Sequence, residues 1–232
     1  MIATAVIETV ASQNDMAGSS RVSVLASAPH RVELVLDDVT LPVANAIRHA
    51  LMKDVPVLAP DVVEIVQYNG QLQTEMVAHR IGLLPVACND GQTPHPDATA
   101  VFELDVTWDR PTPGWVTSDL FVCVSGDAHI VHFRSDAEAK AAHRDTGFPL
   151  FMLHQHQRAH IRAVCRVGTG AHHARWNAVY AHFVETSKTS PTSETSSYHF
   201  IVETTGAVTP QQAWQRGLEA VYNRLRRVEL SA

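Results

Sequence analysis

Residues 209–230 read TPQQAWQRGLEAVYNRLRRVEL, and the reading of this stretch decides the fold. Thr209, Pro210 and Gln212 stand in capping-box order: a hydroxyl ahead of the helix, a proline suited to the first turn, and an amide three residues after the cap. Beyond them Trp214, Leu218, Val221, Leu225 and Val228 step by 4, 3, 4 and 3. That rhythm lines them up in one long, narrow seam, the pattern of a helix lying lengthwise on another helix. Packing on the chain's own sheet would use the same residues, and such seams also occur inside bundles.

A second amphipathic segment lies near the other end. In TLPVANAIRHALMKDVP, residues 40–56, Thr40 stands where a cap would, Pro42 suits a first turn, and Val43, Ile47, Ala50 and Leu51 repeat at helical spacing up to Pro56. Asn45, Arg48, His49 and Met52 gather on the opposite side at i, i+3, i+4 and i+7. Each helix adjoins a strand-like alternation: RVELVLDD at 31–38 precedes the first, and YHFIVET at 198–204 precedes the second. Two helices on strands predict a layer that wants a partner.

Between these ends the chain is β-rich. Strand patterns recur in DVVEIVQYNG (61–70), VFELDVTW (101–108), LFVCV (120–124), HIVHF (129–133), HIRAVCR (160–166) and VYAHFV (179–184), with one helical turn, TEMVAHRIG, ending at Gly82 ahead of Pro85. The small polar residues before Arg21 predict a flexible arm over 1–20, and ETSKTSPTSETSS at 185–197 predicts an exposed loop. The expectation is a two-layer α+β protein.

Composition narrows the function. The 232 residues are 45% hydrophobic, enough for one domain or two small ones. No run approaches the ~20 apolar residues of a membrane helix, and Met1 to Val10 lacks the basic flank of a secretory signal, so the expectation is an intracellular protein with no membrane role. A formal charge of -6 argues against free, sequence-specific DNA binding. Cys88, Cys123 and Cys165 are odd in number and far apart, fitting neither a disulfide framework nor a zinc spacing. No Gly-x-Ser-x-Gly, His-Glu-x-x-His or acidic metal triad is present, so no catalytic residue and no cofactor is expected on this chain. A rival reading is a stand-alone metal-binding or hydrolytic protein built on His154, His156 and His160, but no carboxylate or Cys completes a first shell beside them. Gly168 and Gly170 have no phosphate-binding Lys after them and read as turn glycines.

Four blocks together resemble one family. They are VTLPVANAIRHALMKDVPVLAPDVVEI (39–65), MVAHRIGLLPV (76–86), RVGTGAHHARWNAV (166–179) and FIVETTGAVTPQQAWQRGL (200–218). In this order they are similar to the alpha-like assembly subunits of multisubunit DNA-directed RNA polymerases: the bacterial alpha amino-terminal domain, its archaeal counterpart and the eukaryotic third-largest subunit. Arg175 and His49 stand where those proteins commonly carry Lys and a second Arg. The resemblance implies a discontinuous dimerisation domain over 21–60 and 185–232 with a β-rich domain, 61–184, inserted in it. It implies a non-catalytic assembly role, with a smaller alpha-like subunit packed on Val43, Ile47, Leu51, Trp214, Leu218, Val221 and Leu225. It further implies that the largest and second-largest catalytic subunits and small adapter subunits dock at Asn45, Arg48, His49, His79, Arg80, His173, Arg175 and Trp176. Members with an iron-sulfur cluster or zinc in the inserted domain carry clustered Cys, and this chain does not, so no metal is expected. A nucleus, an archaeal cytoplasm and a viral factory or virion all suit such a subunit.

Overall fold

The computed structural model describes residues 21–89, 93–132, 147–188 and 194–229. The expected arm over 1–20 lies outside them. The chain forms two compact units, the first from Met1–Val55, Val179–Thr204 and Thr209–Ala232, the second from Pro56–Ala178 and Thr205–Val208. The divisions at 55/56 and 178/179 sit a few residues before those expected from sequence, because Val57–Tyr68 is one continuous strand of the second unit and Val179–Lys188 pairs within the first.

In the first unit β1 (Arg21–Ala28), β2 (Arg31–Thr40), β12 (Thr195–Thr204) and β11 (Val179–Lys188) form an antiparallel sheet in the order β1-β2-β12-β11. Period-2 alternation sets its two faces. Val32, Leu34 and Leu36 of β2 lie opposite Val202, Phe200 and Tyr198 of β12, and all six are buried. The alternate residues carry the charges, with Arg31 Nη1 2.9 Å from Glu203 Oε1 and Arg31 Nη2 2.9 Å from Glu33 Oε1. Two helices accompany the sheet in this unit, α1 (Leu41–Lys53) and α3 (Pro210–Glu229).

Two sequence expectations are corrected here. The polar stretch 185–197 is not a loop throughout: β11 runs to Lys188 and β12 starts at Thr195, while 189–193 lie outside the described residues. Its hydroxyls satisfy themselves across the hairpin, Thr186 Oγ1 donating to Ser197 O at 3.0 Å and Ser196 Oγ to Glu185 Oε1 at 2.6 Å. Ser197 Oγ and Thr195 Oγ1 each donate at 2.6 Å to the carboxylates of Asp37 and Asp38. Thr40 occupies the N-cap of α1 with extended backbone, yet its side chain makes no capping bond. The capping box of α3 does form: Gln212 N donates to Thr209 Oγ1 at 3.2 Å, and Thr209 N donates to Gln212 Oε1 at 3.0 Å.

In the second unit six strands run in the order β7 (Val122–Ser125), β5 (Thr99–Trp108), β10 (Gln157–Gly168), β3 (Val57–Tyr68), β4 (Val86–Cys88) and β8 (Ala128–Ile130), and β6 (Gly114–Thr117) pairs with β9 (Pro149–Leu153). The helix α2 (Thr74–Gly82) packs on β3 and buries Val77 and Ile81 in a core with Leu104, Phe151 and Ile161. Burying each such side chain stabilises the fold by about 1.5–3 kcal/mol. The other face of β10 is charged and internally paired: Arg158 with Asp105 at 2.8 Å, His160 with Glu103 at 2.6 Å, Arg162 with Glu64 and Arg166 with Asp61 each at 3.4 Å.

Candidate functional site

The helical layer of the first unit leaves part of its apolar surface exposed. On α1 the sequence pattern places an apolar face, and the structure fills most of it from within. Ala44, Ile47, Ala50 and Leu51 are buried, Leu51 completely. Leu51 meets α3 at Gly217, where an added Cβ would come within 2.6 Å of Leu51 Cδ2, so glycine is what lets the two helices approach this closely. Ile47 and Leu51 are therefore core residues of this chain and offer no surface to another; the sequence pattern identifies the apolar side and not what covers it. Val43, on the first turn, is 44% exposed, and its neighbour Leu41 is 56% exposed.

The seam of α3 behaves differently. Ala213 and Gly217 are buried, Trp214, Leu218 and Val221 are half-buried, and Leu225 is 62% exposed. Trp214 stands edge-on to Phe200 of β12 with ring centroids 5.5 Å apart, anchoring the helix to the sheet. From Tyr222 to Arg227 every residue is exposed, so the cover supplied by the chain gives out while the apolar seam continues. Arg224 Nη2 donates to Asp54 Oδ1 at 2.7 Å and ties α3 to the end of α1. Sequence reasoning missed Leu41 and Tyr222; Tyr222 sits immediately beside the seam, which was its one legible signal.

The polar face of α1 is a connected cluster. Arg48 Nε and Nη2 donate to Asn45 Oδ1 at 3.2 and 2.9 Å, Nη1 reaches Met52 Sδ at 3.6 Å, and Nη2 lies 3.0 Å from His49 Nε2. Helical spacing alone brings these four together. Asn45 Oδ1 and Met52 Sδ are neutral acceptors, and among the described residues no ion pair between this guanidinium and a carboxylate is formed.

The remaining sequence-derived candidates lie in the second unit. His79 is exposed at the end of α2. Arg80 also shows surface, but its Nη1 donates to Leu150 O at 2.7 Å and holds α2 to β9. Arg175 is half-buried: Nη1 donates to Pro60 O at 3.0 Å and Asp61 O at 2.8 Å, with Asp61 Oδ1 at 3.3 Å. Trp176 Nε1 donates to Arg166 O at 3.0 Å, and its ring lies on Gly168, where a Cβ would meet Trp176 Cε2 at 2.4 Å. Gly168 is thus a packing glycine ending β10. His173 is exposed, with Nδ1 accepting from Arg175 N at 3.1 Å. Arg175 and Trp176 clasp the ends of β10 and β3, leaving His172 and His173 as the outward side chains of that turn.

His154, His156 and His160 do not converge on a centre. His156 sits at a turn with φ +66, His160 is bonded to Glu103, and among the described residues no group of three or more His, Cys, Asp and Glu is placed to hold a metal. The metal-binding alternative finds no support here. Burial, with Cys123 nearby, pushes the Cys165 thiol up to about 12, so it remains a protonated core residue at neutral pH. Among the described residues no helix is long and apolar enough to cross a membrane.

The family description "RNA polymerase Rpb3/Rpb11 dimerisation domain" matches residues 33–225, which takes in α1, α3 up to Leu225 and everything between. The chain belongs to this family. Among its relatives, the DNA-directed RNA polymerase subunit Rpo3 of Thermococcus kodakarensis is 29% identical over 69% of this chain and 57% of its own length. Subunit 3 of DNA-directed RNA polymerases II, IV and V from Arabidopsis thaliana is 31% identical over 63% of this chain and 50% of its own. The rpb3 subunit of RNA polymerase II from Dictyostelium discoideum is 28% identical over 62% and 50%. The chain spans only about half the length of these relatives.

Proposed function

We propose that the chain is a non-catalytic assembly subunit of a multisubunit DNA-directed RNA polymerase, working inside the cell or in a virus-derived compartment. Its first unit pairs with a smaller alpha-like subunit, and the pair seats the largest and second-largest catalytic subunits. The observation that carries this reading is the exposure along α3: the seam is half-covered at Trp214, Leu218 and Val221 and open at Leu225, with Tyr222, Val43 and Leu41 as further exposed apolar side chains of the layer. An apolar helical surface of this kind is costly in water and is stabilised by a partner, obligate interfaces burying on the order of 2,000 Å² or more. Asn45, Arg48 and His49 offer a polar face suited to a catalytic subunit, since guanidinium recognises carboxylates and carbonyls with defined geometry. In the second unit His79 and His173 keep exposed side chains for the catalytic subunits, or at His79 for a small adapter subunit, while Arg80, Arg175 and Trp176 contribute by holding the surfaces that carry them.

Co-expression with a smaller alpha-like subunit, followed by size-exclusion chromatography, tests the proposal. Co-elution as one species is expected. A chain that stays soluble and monomeric beside every such partner would overturn it. Replacing both Leu218 and Leu225 by Asp is expected to abolish pairing, since a carboxylate buried without a partner costs several kcal/mol or more.

A further inference from the structure

α3 carries two parallel lines of residues, one place apart in sequence. Ala213, Gly217, Ala220 and Arg224 step by 4, 3 and 4, and so do Trp214, Leu218, Val221 and Leu225. At about 100° per residue the second line lies a little over a quarter-turn round the helix from the first. The first line faces the chain itself. Ala213 and Gly217 are buried, Gly217 lies against Leu51 of α1, and Ala220 is half-buried. This line ends in Arg224, whose Nη2 donates to Asp54 Oδ1 at 2.7 Å. Asp54 is fixed in turn by the end of α1, its backbone N–H donating to Ala50 O at 2.8 Å. The Asp54 side chain is only 15% exposed, against 61% for Arg224. The bond therefore joins a carboxylate that is held in place to a stretch of helix, Tyr222 to Arg227, in which every residue is exposed.

Resting on the assembly reading, we infer that Asp54 and Arg224 are positioning residues for pairing: their ion pair sets the rotation of the outer half of α3, so that Leu225, one residue on, faces the incoming smaller subunit. Apolar burial fixes the rotation of a helix only where there is a surface to bury against, and the exposure beyond Val221 shows that packing weakens there. A helical end without packing is marginal in water. A directional, charge-assisted bond two turns beyond Gly217 takes the place of packing at this point. The arriving subunit then meets a seam that is already helical and already turned outward, and less ordering entropy is lost on binding.

The size of the effect is bounded. The bond can shift the ordering of the helix by no more than its own strength, a factor of about two to five for an ion pair with one exposed member. Pairing without it is weakened, not abolished, because the apolar seam still supplies most of the contact.

The experiment measures the dissociation constant of the heterodimer with the smaller alpha-like subunit for wild type, Asp54→Asn, Arg224→Gln and the double variant, together with hydrogen exchange of each chain before pairing. Either single variant is expected to weaken pairing about threefold, and the double variant no further, since each substitution removes the same bond. Amides of residues 222–227 should exchange faster in the variants, while those of 210–218 keep the wild-type rate, which also shows that the variants fold. An Arg224→Gln effect as large in the Asp54→Asn background as in wild type would mean that Arg224 touches the partner itself. Single variants that pair as tightly as wild type would mean that the rotation of α3 needs no such bond. Either result overturns the inference and leaves the assembly reading standing. A wild-type chain that does not pair overturns the assembly reading, and this inference falls with it whatever the exchange pattern.

Discussion

The two helices of the first unit have similar apolar periodicity and opposite fates. α1, at 13 residues, places Ile47 and Leu51 within the chain's own core, and Gly217 makes room for Leu51. α3, at 20 residues, is anchored by Trp214 on Phe200 and then carries its seam out to an exposed Leu225. An amphipathic pattern states how much apolar surface a helix must cover. Whether the cover comes from the same chain depends on what the fold stacks beside it, and here the longer helix is left with a surplus.

The largest expected effect breaks the comparison directly. Leu51→Ala should lower the stability of the chain by about 3 kcal/mol in urea denaturation, the usual cost of a cavity in a packed core. Leu225→Ala should change it by less than about 0.5 kcal/mol, as expected of an exposed site, and instead weaken pairing. Equal losses from the two would mean that the helices are equally embedded in this chain.

The meeting point of the helices gives the next effect. Gly217→Ala places a methyl group 2.6 Å from Leu51 Cδ2, and the repacking should cost about 1–3 kcal/mol, read as a lowered melting temperature. No loss would show that α1 and α3 separate at this point without penalty.

How far the sequence led follows the same division. The capping box of α3, the seam and the alternation of β2 and β12 were legible because each is set by neighbours within a few residues. The burial of Leu51 was not, since it depends on Gly217, far away along the chain. For Arg175 and Trp176 the sequence leaves open both the docking that the resemblance implies and a Trp that anchors a turn, and their bonds to Pro60, Asp61 and Arg166 appear only once β3 and β10 lie side by side. The strand β1 is hard to see in the sequence because it is exposed along most of its length and carries only the short alternation Val22, Val24. The hydroxyl-rich hairpin of β11 and β12 reads as a loop because its polar groups find partners across the strands, which composition does not reveal.

Smaller effects sharpen the contrast in the second unit, whose core is sealed by its own elements. At pH 8 a thiol reagent should modify the half-buried Cys88 and Cys123 and spare Cys165 until the chain unfolds. With the folded thiol at about 12, its contribution to stability is complete below the ordinary thiol range and falls as pH rises above it. A thiol count equal in native and denatured protein would contradict that burial. Smallest of all, the hydrogen bond from Arg158 holds the Asp105 carboxyl below its ordinary value, so whatever stability this exposed pair gives is present above the carboxylate range and lost as pH falls through it. Asp105→Asn should leave stability at pH 7 nearly unchanged and flatten only the acid limb of a stability profile.

The most direct test of the central claim is light scattering, coupled to size exclusion, of the chain co-expressed with a smaller alpha-like subunit, as wild type and as Leu225→Asp. The account predicts a one-to-one heterodimer for wild type and separate chains for the variant, with the first unit still folded. Wild-type chain that elutes as a stable monomer, or a Leu225→Asp variant that pairs as well as wild type, would contradict it.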